Sequence, residues 1–494
     1  MKMRHLIASQ LLRARRHGLR PPAPLRRLAH AVMRPLLPTQ SPVDPWTTTL
    51  VGNQPLGPMP VVAGQAALPN PVPAQSGAGS VRRMRCLIVT GILDAGGHDE
   101  VVAFLARHLP RFGIDTMVGY TGGIAAGSMS GGRVPRLLAD EGIDIAEVRE
   151  DDAESLLEIW RPDVISAHVP PPCWLRAARR YGIPFVETLH GMHGLYDANR
   201  AAEISRSAHV WGFIAVSELV RRQYLQMNPR FDEGRIATVP NGIDPQRMRL
   251  PDRAAARRWL NLREDDFLFL SHSRLALQKN SYGLVDAFGE FAAANPRVHL
   301  LLAGRCDDVA YARQVRELRD SLPCRDRIHL RDHVGWPGAL LAAADAFVLA
   351  GFFEGWPLAS MEALCAGLPA IMSDVGGARE QVGDGQRGIL IGNPLGDPRA
   401  VDWKKIRNVL YTPQVNRREL LDALAEIYNG RADWTVRRES LRQESLERFH
   451  PDSSLAGHAA LLRRAVEEVG SGISALRGRG VESDRRFADL AEGQ

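Results

Sequence analysis

The chain has 494 residues, 45% apolar and 24% charged, with a formal net charge of +6. Such a length exceeds one typical domain and suits two with tails, in an ordinary globular composition with only a mild preference for anionic partners. The five cysteines form no C-x-x-C pair and their number is odd, which argues against a disulfide framework or a zinc site and for a reducing compartment.

Residues 1–43 carry Lys2, Arg4, Arg13, Arg15, Arg16, Arg20, Arg26, Arg27 and Arg34 and no Asp or Glu. Three readings stay open: a disordered basic arm, a peripheral membrane contact, and an organelle transit peptide. Clustered basic residues are drawn to an anionic leaflet, and an apolar stripe adds burial. The start lacks an apolar core and a small-residue cleavage site, so it makes a poor signal peptide. No run of about 18 apolar residues occurs, so no membrane-spanning helix is expected. Residues 42–80, rich in Pro, Gly, Ala and Gln, read as a linker.

From Met84 short apolar runs alternate with helical stretches. Residues 86–90, 116–120, 164–169, 185–189 and 213–216 read as strands, and 100–109, 153–160, 173–180 and 218–227 as helices. The pattern restarts after Val239-Pro240-Asn241-Gly242, with strands over 267–271, 298–303, 327–330, 346–349, 370–373 and 388–391. β-rich runs separated by helices imply parallel, doubly wound sheets. The division is therefore an arm and linker over 1–83, one Rossmann-like domain over 84–244, and a second over 245–450. A helix over 451–469, with a crossing back to the first domain as one arrangement open to it, and a disordered tail over 470–494 complete it. Ligands of such sheets bind beyond the carboxyl ends of the strands, so the loops after strands hold the candidates.

The strongest signal lies after the strand ending near Leu349. Gly351-Phe352-Phe353-Glu354-Gly355-Trp356-Pro357-Leu358 leads into a short helix, with Pro357 suited to its first position and Gly367 to the residue just past its end. Free N–H groups there favour a phosphate. Glu354 and Glu362 bracket the helix start, too far apart to share one oxygen but able to grip two ends of a long ligand. Considered alone, the segment is equally well a capped helix with surface glutamates. Arg274 and Lys279 follow the first strand of the second domain, where a planar fork and a compact charge suit a diphosphate, though a solvated basic loop has the same composition. Gly96-Gly97-His98 follows the first strand, where glycine lets backbone approach a ligand. The G-x-G-x-x-G spacing of dehydrogenases is absent. His168 and His190 each end a strand, and His190, before Gly191, is the better ligand candidate. No Asp-x-Asp pair occurs to hold a divalent metal.

Together these segments resemble retaining glycosyltransferase family 4, the group 1 glycosyl transferases, over residues 84–468. The family's E-x7-E element matches Glu354 and Glu362, and its Arg-x4-Lys element matches Arg274 and Lys279. Its glycine-rich loop matches Gly96-Gly97-His98, its strand-end histidine His190, and its following segment Ser373–Glu380. Two departures stand out: Trp356-Pro357 replaces Phe-Gly, and Ser273 replaces the glycine before the arginine.

The resemblance implies an α/β GT-B fold, with two Rossmann-like domains facing across a cleft. It implies a hexosyltransferase that moves a sugar from a nucleotide-diphosphate donor to a glycan or lipid-linked acceptor, in polysaccharide biosynthesis, without cofactor or metal. Arg274 and Lys279 would neutralise the diphosphate, Glu354 would meet the sugar, and Glu362 the ribose. Pro357 and Leu358 would offer backbone N–H groups, and Val334 would lie near the base. His190 would hold the donor sugar at the reacting centre, and Gly96 and Gly97 would bring ligand close to backbone. A cytoplasmic enzyme, at the inner membrane face if the arm binds lipid, is expected, with no nucleic-acid partner. The alternatives are a sugar-nucleotide epimerase, and a non-catalytic nucleotide-sugar-binding or scaffold protein on the same fold.

Overall fold

The computed structural model describes residues 82–94, 96–121, 132–191, 199–331, 334 and 337–491, with side chains as far as Ser471. The basic arm and nearly all of the linker lie outside the described residues.

The first half runs β1 (Met84–Thr90), α1 (Gly97–His108), β2 (Ile114–Tyr120), α2 (Arg133–Asp140), β3 (Ile145–Glu147), α3 (Ala153–Trp160) and β4 (Val164–His168). It continues with α4 (Pro172–Tyr181), β5 (Phe185–Leu189), α5 (Arg200–Ser207), β6 (Gly212–Ala215), α6 (Glu218–Met227) and β7 (Ile236–Thr238). The seven strands form one parallel sheet in the order β3-β2-β1-β4-β5-β6-β7. Alternation along β1 explains why helices cover both faces. Cys86 and Ile88 pack into one apolar cluster and Leu87 and Val89 into another, all fully buried.

The second half runs α7 (Arg253–Trp259), β8 (Phe267–His272), α8 (Ser281–Ala294), β9 (Val298–Ala303), α9 (Val309–Ser321), β10 (Ile328–Arg331), α10 (Gly338–Ala343) and β11 (Ala346–Leu349). Then come α11 (Leu358–Cys365), β12 (Ala370–Ser373), α12 (Ala378–Val382), β13 (Gly388–Ile391), α13 (Trp403–Val409), α14 (Arg417–Asn429), α15 (Arg431–Arg448) and α16 (Pro451–Ala491). Its parallel sheet has the order β10-β9-β8-β11-β12-β13. The fold is thus α/β with two Rossmann-like sheets, of the GT-B kind. In each sheet the strand order reverses at the first strand, between β1 and β4 and between β8 and β11. That reversal opens a crevice at the carboxyl ends of these strands.

The last helix packs onto the first sheet. Leu455, Ala459 and Leu462 recur along one face of α16 and share a buried cluster with Cys86, Ile88 and Val164. Ile243 N–H donates to the Phe449 carbonyl at 2.9 Å, and Arg111 pairs with Asp452 at 2.9 Å. The helix continues to Ala491, whereas the composition predicts an end before Gly470 and disorder beyond. Gly472, Gly478 and Gly480 lower helix propensity there, but no proline interrupts the hydrogen-bond ladder. Among the described residues no helix is long and apolar enough to cross a membrane.

Candidate functional site

The loops after β8 and β11 are laced together. Phe352 N–H donates to the Gln278 carbonyl at 2.8 Å, and Asn280 Nδ2 donates to the Ala350 carbonyl at 2.9 Å. Asn280 turns the chain with a left-handed φ of 54°, which asparagine tolerates better than most residues. This lacing brings Lys279 Nζ to 2.5 Å from Glu354 Oε1, both largely buried. Arg274 goes elsewhere. Its loop is bound to the loop after β9, where Leu275 N–H meets the Arg305 carbonyl at 2.8 Å, and its guanidinium pairs with Asp307. The two cations therefore answer to different carboxylates.

Behind Glu354 the backbone carbonyls of its loop are held. Ser373 Oγ donates to the Gly351 carbonyl at 2.9 Å, Asn393 Nδ2 to the Phe352 carbonyl at 2.8 Å, and Gly377 N–H to the Gly355 carbonyl at 2.8 Å. Gly376 takes a φ of 46°, and a Cβ there would lie 2.1 Å from the Gly355 carbonyl. The segment Ser373–Glu380 thus acts as a cradle for the Glu354 loop.

Pro357 is the cap of α11 and not, as its sequence position predicts, the first helical residue. Its ψ of 118° is extended. Its carbonyl accepts from Ser360 Oγ at 3.0 Å and from Gln381 Nε2 at 3.2 Å, which fixes the start of the helix at Leu358. Gly367 follows the helix with a φ of 77°, in the left-handed conformation that glycine adopts without strain.

Glu362 is 2% exposed. Its Oε1 accepts from Arg247 Nε at 2.5 Å, and Arg247 Nη1 lies 3.0 Å from Glu100 Oε1 of α1. Burial opposes the Arg247 charge, but Glu362 and Asp244 outweigh it and raise the guanidinium pKa. Arg133 pairs with the same Glu100 oxygen. An alternating chain Arg133–Glu100–Arg247–Glu362 therefore runs from the first sheet's helices to α11. Sequence reasoning missed Arg247 and Glu100, since nothing local distinguishes them from other charged residues.

On the first-domain side, His190 Nε2 lies 2.8 Å from His168 Nδ1, and Ser166 Oγ lies 3.2 Å from His168 Nε2. Burial, then His190, His458 and His98, push the His168 pKa well below its usual value, so the ring is neutral at pH 7. The His98 ring centroid is 6.0 Å from that of His190, and His98 Nε2 is 2.9 Å from Asp99 Oδ1. Gly96 caps α1, and its N–H donates to Asp99 Oδ2 at 2.6 Å. A Cβ at Gly97 would meet open space, so packing alone does not demand glycine there. Asp94, in the same loop, pairs with Arg305 of the second domain at 2.9 Å.

The two sides touch. A Cβ on Gly355 would lie 1.8 Å from the His190 carbonyl, so the His190 and Glu354 loops meet backbone to backbone. The structure therefore brings together His190, Glu354 and Lys279, and reaches Glu362 through Arg247. Leu358 opens α11 at half burial, and Val334 is buried after β10. Neither makes a polar side-chain contact. No group of three or more His, Cys, Asp or Glu among the described residues could hold a metal ion.

Two family models match the chain: Glycosyltransferase Family 4 over residues 95–247 and Glycosyl transferases group 1 over residues 252–419. A D-inositol 3-phosphate glycosyltransferase of Geodermatophilus obscurus is 32% identical over 42% of this chain and 47% of its own length, so the chain spans about half of that relative. A glycosyltransferase structure from Rickettsia africae aligns with a TM-score of 0.59 at 17% identity, covering 78% of this chain and 99% of that one. The catalytic domain of starch synthase IV from Arabidopsis thaliana, bound to ADP and acarbose, aligns with a TM-score of 0.58 at 15% identity, covering 78% of this chain and 100% of that one.

Proposed function

The chain belongs to the group 1, family 4 glycosyltransferases, and from that premise we propose that it moves a hexose-type sugar from a nucleotide-diphosphate donor, with retention, to a glycan or lipid-linked acceptor in polysaccharide biosynthesis. The observation that carries this is the Lys279–Glu354 pair, seated at the strand-order reversal of one sheet and in backbone contact with the His190 loop of the other. ADP in the starch synthase structure supports a nucleotide donor.

In this reading Lys279 and Arg274 exchange their carboxylate partners for the diphosphate. As the bond between the sugar C1 and the phosphate oxygen breaks, they stabilise the charge that develops on that oxygen, the work a metal does elsewhere. The acceptor oxygen bonds to C1 on the same face, and its proton passes to the departing phosphate. Glu354, released by Lys279, accepts from sugar hydroxyls. Glu362 keeps Oε1 on Arg247 and offers Oε2 to the ribose, since a carboxylate has lone pairs for several donors. His190, held at 2.8 Å from neutral His168, hydrogen-bonds the sugar. The contact at Gly355 excludes water that would compete as acceptor.

The test is a binding and hydrolysis screen with UDP-, GDP- and ADP-glucose on the wild type, Glu354→Ala and Lys279→Ala. One donor is expected to bind and hydrolyse slowly, and both variants to lose hydrolysis. Absence of binding by every nucleotide sugar sinks the proposal.

A further inference from the structure

A groove of about 620 Å³ opens on one face of the first sheet, between α4 and α5. It begins at Val169 and His190, beyond the carboxyl ends of β4 and β5, and runs past Glu187 to Arg176, Arg179 and Arg206. Its upper wall is apolar: Val169 is 50% exposed, with Pro171 and Leu175 beside it. Val169 also holds a left-handed φ of 49°, an unfavourable conformation for a β-branched residue and of the kind that gathers at functional sites.

The charges in the groove are unevenly matched. Arg206 is satisfied, at 2.6 Å from Glu187 and 2.8 Å from Glu203. Burial opposes its charge, but Glu187 and Glu203 outweigh it and raise its pKa. Burial likewise pushes the Glu187 carboxyl up, which Arg206 only partly offsets. Arg176 and Arg179 are different. They stand three residues apart, on one face of α4, both exposed, both lining the groove, and neither forms an ion pair with any described residue. Arg176 and Arg179 therefore stand unpaired at the end remote from His190, while Arg206 is shared between Glu187 and Glu203.

We propose that this groove takes an acceptor bearing a phosphate monoester, which Arg176 and Arg179 grip while the hydroxyl to be glycosylated lies at His190. A phosphate monoester carries about −1.5 to −2 charge at pH 7, which matches two guanidinium groups, and its oxygens suit their forked donors. Pro172 to Arg179 spans about 10 Å of helix, so the acceptor is extended, with an apolar or sugar segment between hydroxyl and phosphate. The proposal rests on the transferase reading above. It adds the acceptor's chemical class and the residues that select it. The phosphate's source is either a free sugar phosphate or a lipid-borne one.

Calorimetric titration separates these sources without needing turnover. Lactose 1-phosphate is compared with lactose, and farnesyl phosphate in detergent micelles with farnesol, on the wild type, the Arg176→Gln/Arg179→Gln double variant and Lys279→Ala. At least one phosphate is expected to bind ten-fold or more tightly than its neutral counterpart. The double variant is expected to lose that preference, Lys279→Ala to keep it, and the donor affinity of the double variant to match wild type. Lactose 1-phosphate alone names a free sugar phosphate, and farnesyl phosphate alone a lipid-borne one. The proposal is overturned if neither phosphate outbinds its neutral partner, if the preference survives in the double variant, or if Lys279→Ala abolishes it. Failure of the transferase reading shows separately, as absence of nucleotide-sugar binding in the donor screen.

Discussion

The two walls of the crevice meet at Gly355 and His190, yet they are built on opposite electrostatic plans. The second-domain wall is a set of paired charges: Lys279 with Glu354, Arg274 with Asp307, and Glu362 with Arg247. The wall around His190 centres on imidazoles, with His168 held neutral by burial and His98 set against Asp99. A buried unpaired charge costs several kcal/mol, so a site that needs cations for a diphosphate stays stable when empty only if carboxylates stand in. A site that handles hydroxyl groups has no such need and can use neutral hydrogen-bonding groups. Donor binding on the second-domain wall is then an exchange of partners.

The contrast is most sharply tested at Lys279. Lys279→Ala is expected to lower donor turnover by about 10³-fold, since it removes a fixed stabiliser of the leaving group and leaves Glu354 unpaired. Steady-state hydrolysis of the donor found in the screen checks this, and a loss below ten-fold would break the picture of a donor wall that works by charge. Gly355→Ala forces its new Cβ against the His190 carbonyl and is expected to lower kcat by about 10²-fold while donor binding changes little, because a displacement near 1 Å can cost that much. Unchanged kcat would mean that the two walls need not meet. Arg247→Met is expected to weaken donor binding about ten-fold, as Glu362 loses the partner that orients it, with a smaller change in kcat. Equal losses in both constants would assign Arg247 to general stability instead.

The smallest effect concerns pH and stability. His458 of α16 is fully buried, neither ring nitrogen finds a hydrogen-bond partner among the described residues, and burial lowers its pKa to about 4. The unfolded chain binds the proton more tightly, with a pKa of about 6.5. Stability from this residue is therefore fully present above about pH 6.5 and is lost as the pH falls toward 4, up to about 3 kcal/mol. His458→Leu is expected to flatten the fall of Tm between pH 7 and 5. An unchanged slope would show that His458 is not buried against the first sheet in solution.

Much of this was legible in the chain. Apolar runs such as Leu87–Val89 and Leu300–Leu302 are buried on both faces, so their local pattern alone betrays parallel strands. The edge strands β3 and β7 and the helices α2 and α5 escaped, because three-residue strands and eight-residue amphipathic stretches carry too few positions to show a period. That Arg274, Lys279, Glu354 and His190 stand in loops after strands was also legible, whereas Glu362 lies inside α11 and His168 within β4. Pro357 was misplaced by one residue, because a proline φ suits cap and first turn alike and only the contacts of its carbonyl decide between them.

The sequence by itself determined the alternation of strands and helices in both halves, their order along the chain, and which loops follow strands, because side-chain period and turn residues are local properties. Only the tertiary structure decided what those loops touch. Lys279 meets Glu354 across 75 residues and Arg247 meets Glu362 across 115, while Arg274 turns away to Asp307, 33 residues on. Such pairings depend on where charges lie after collapse, when burial makes each one find a partner, and no local pattern in the chain encodes them.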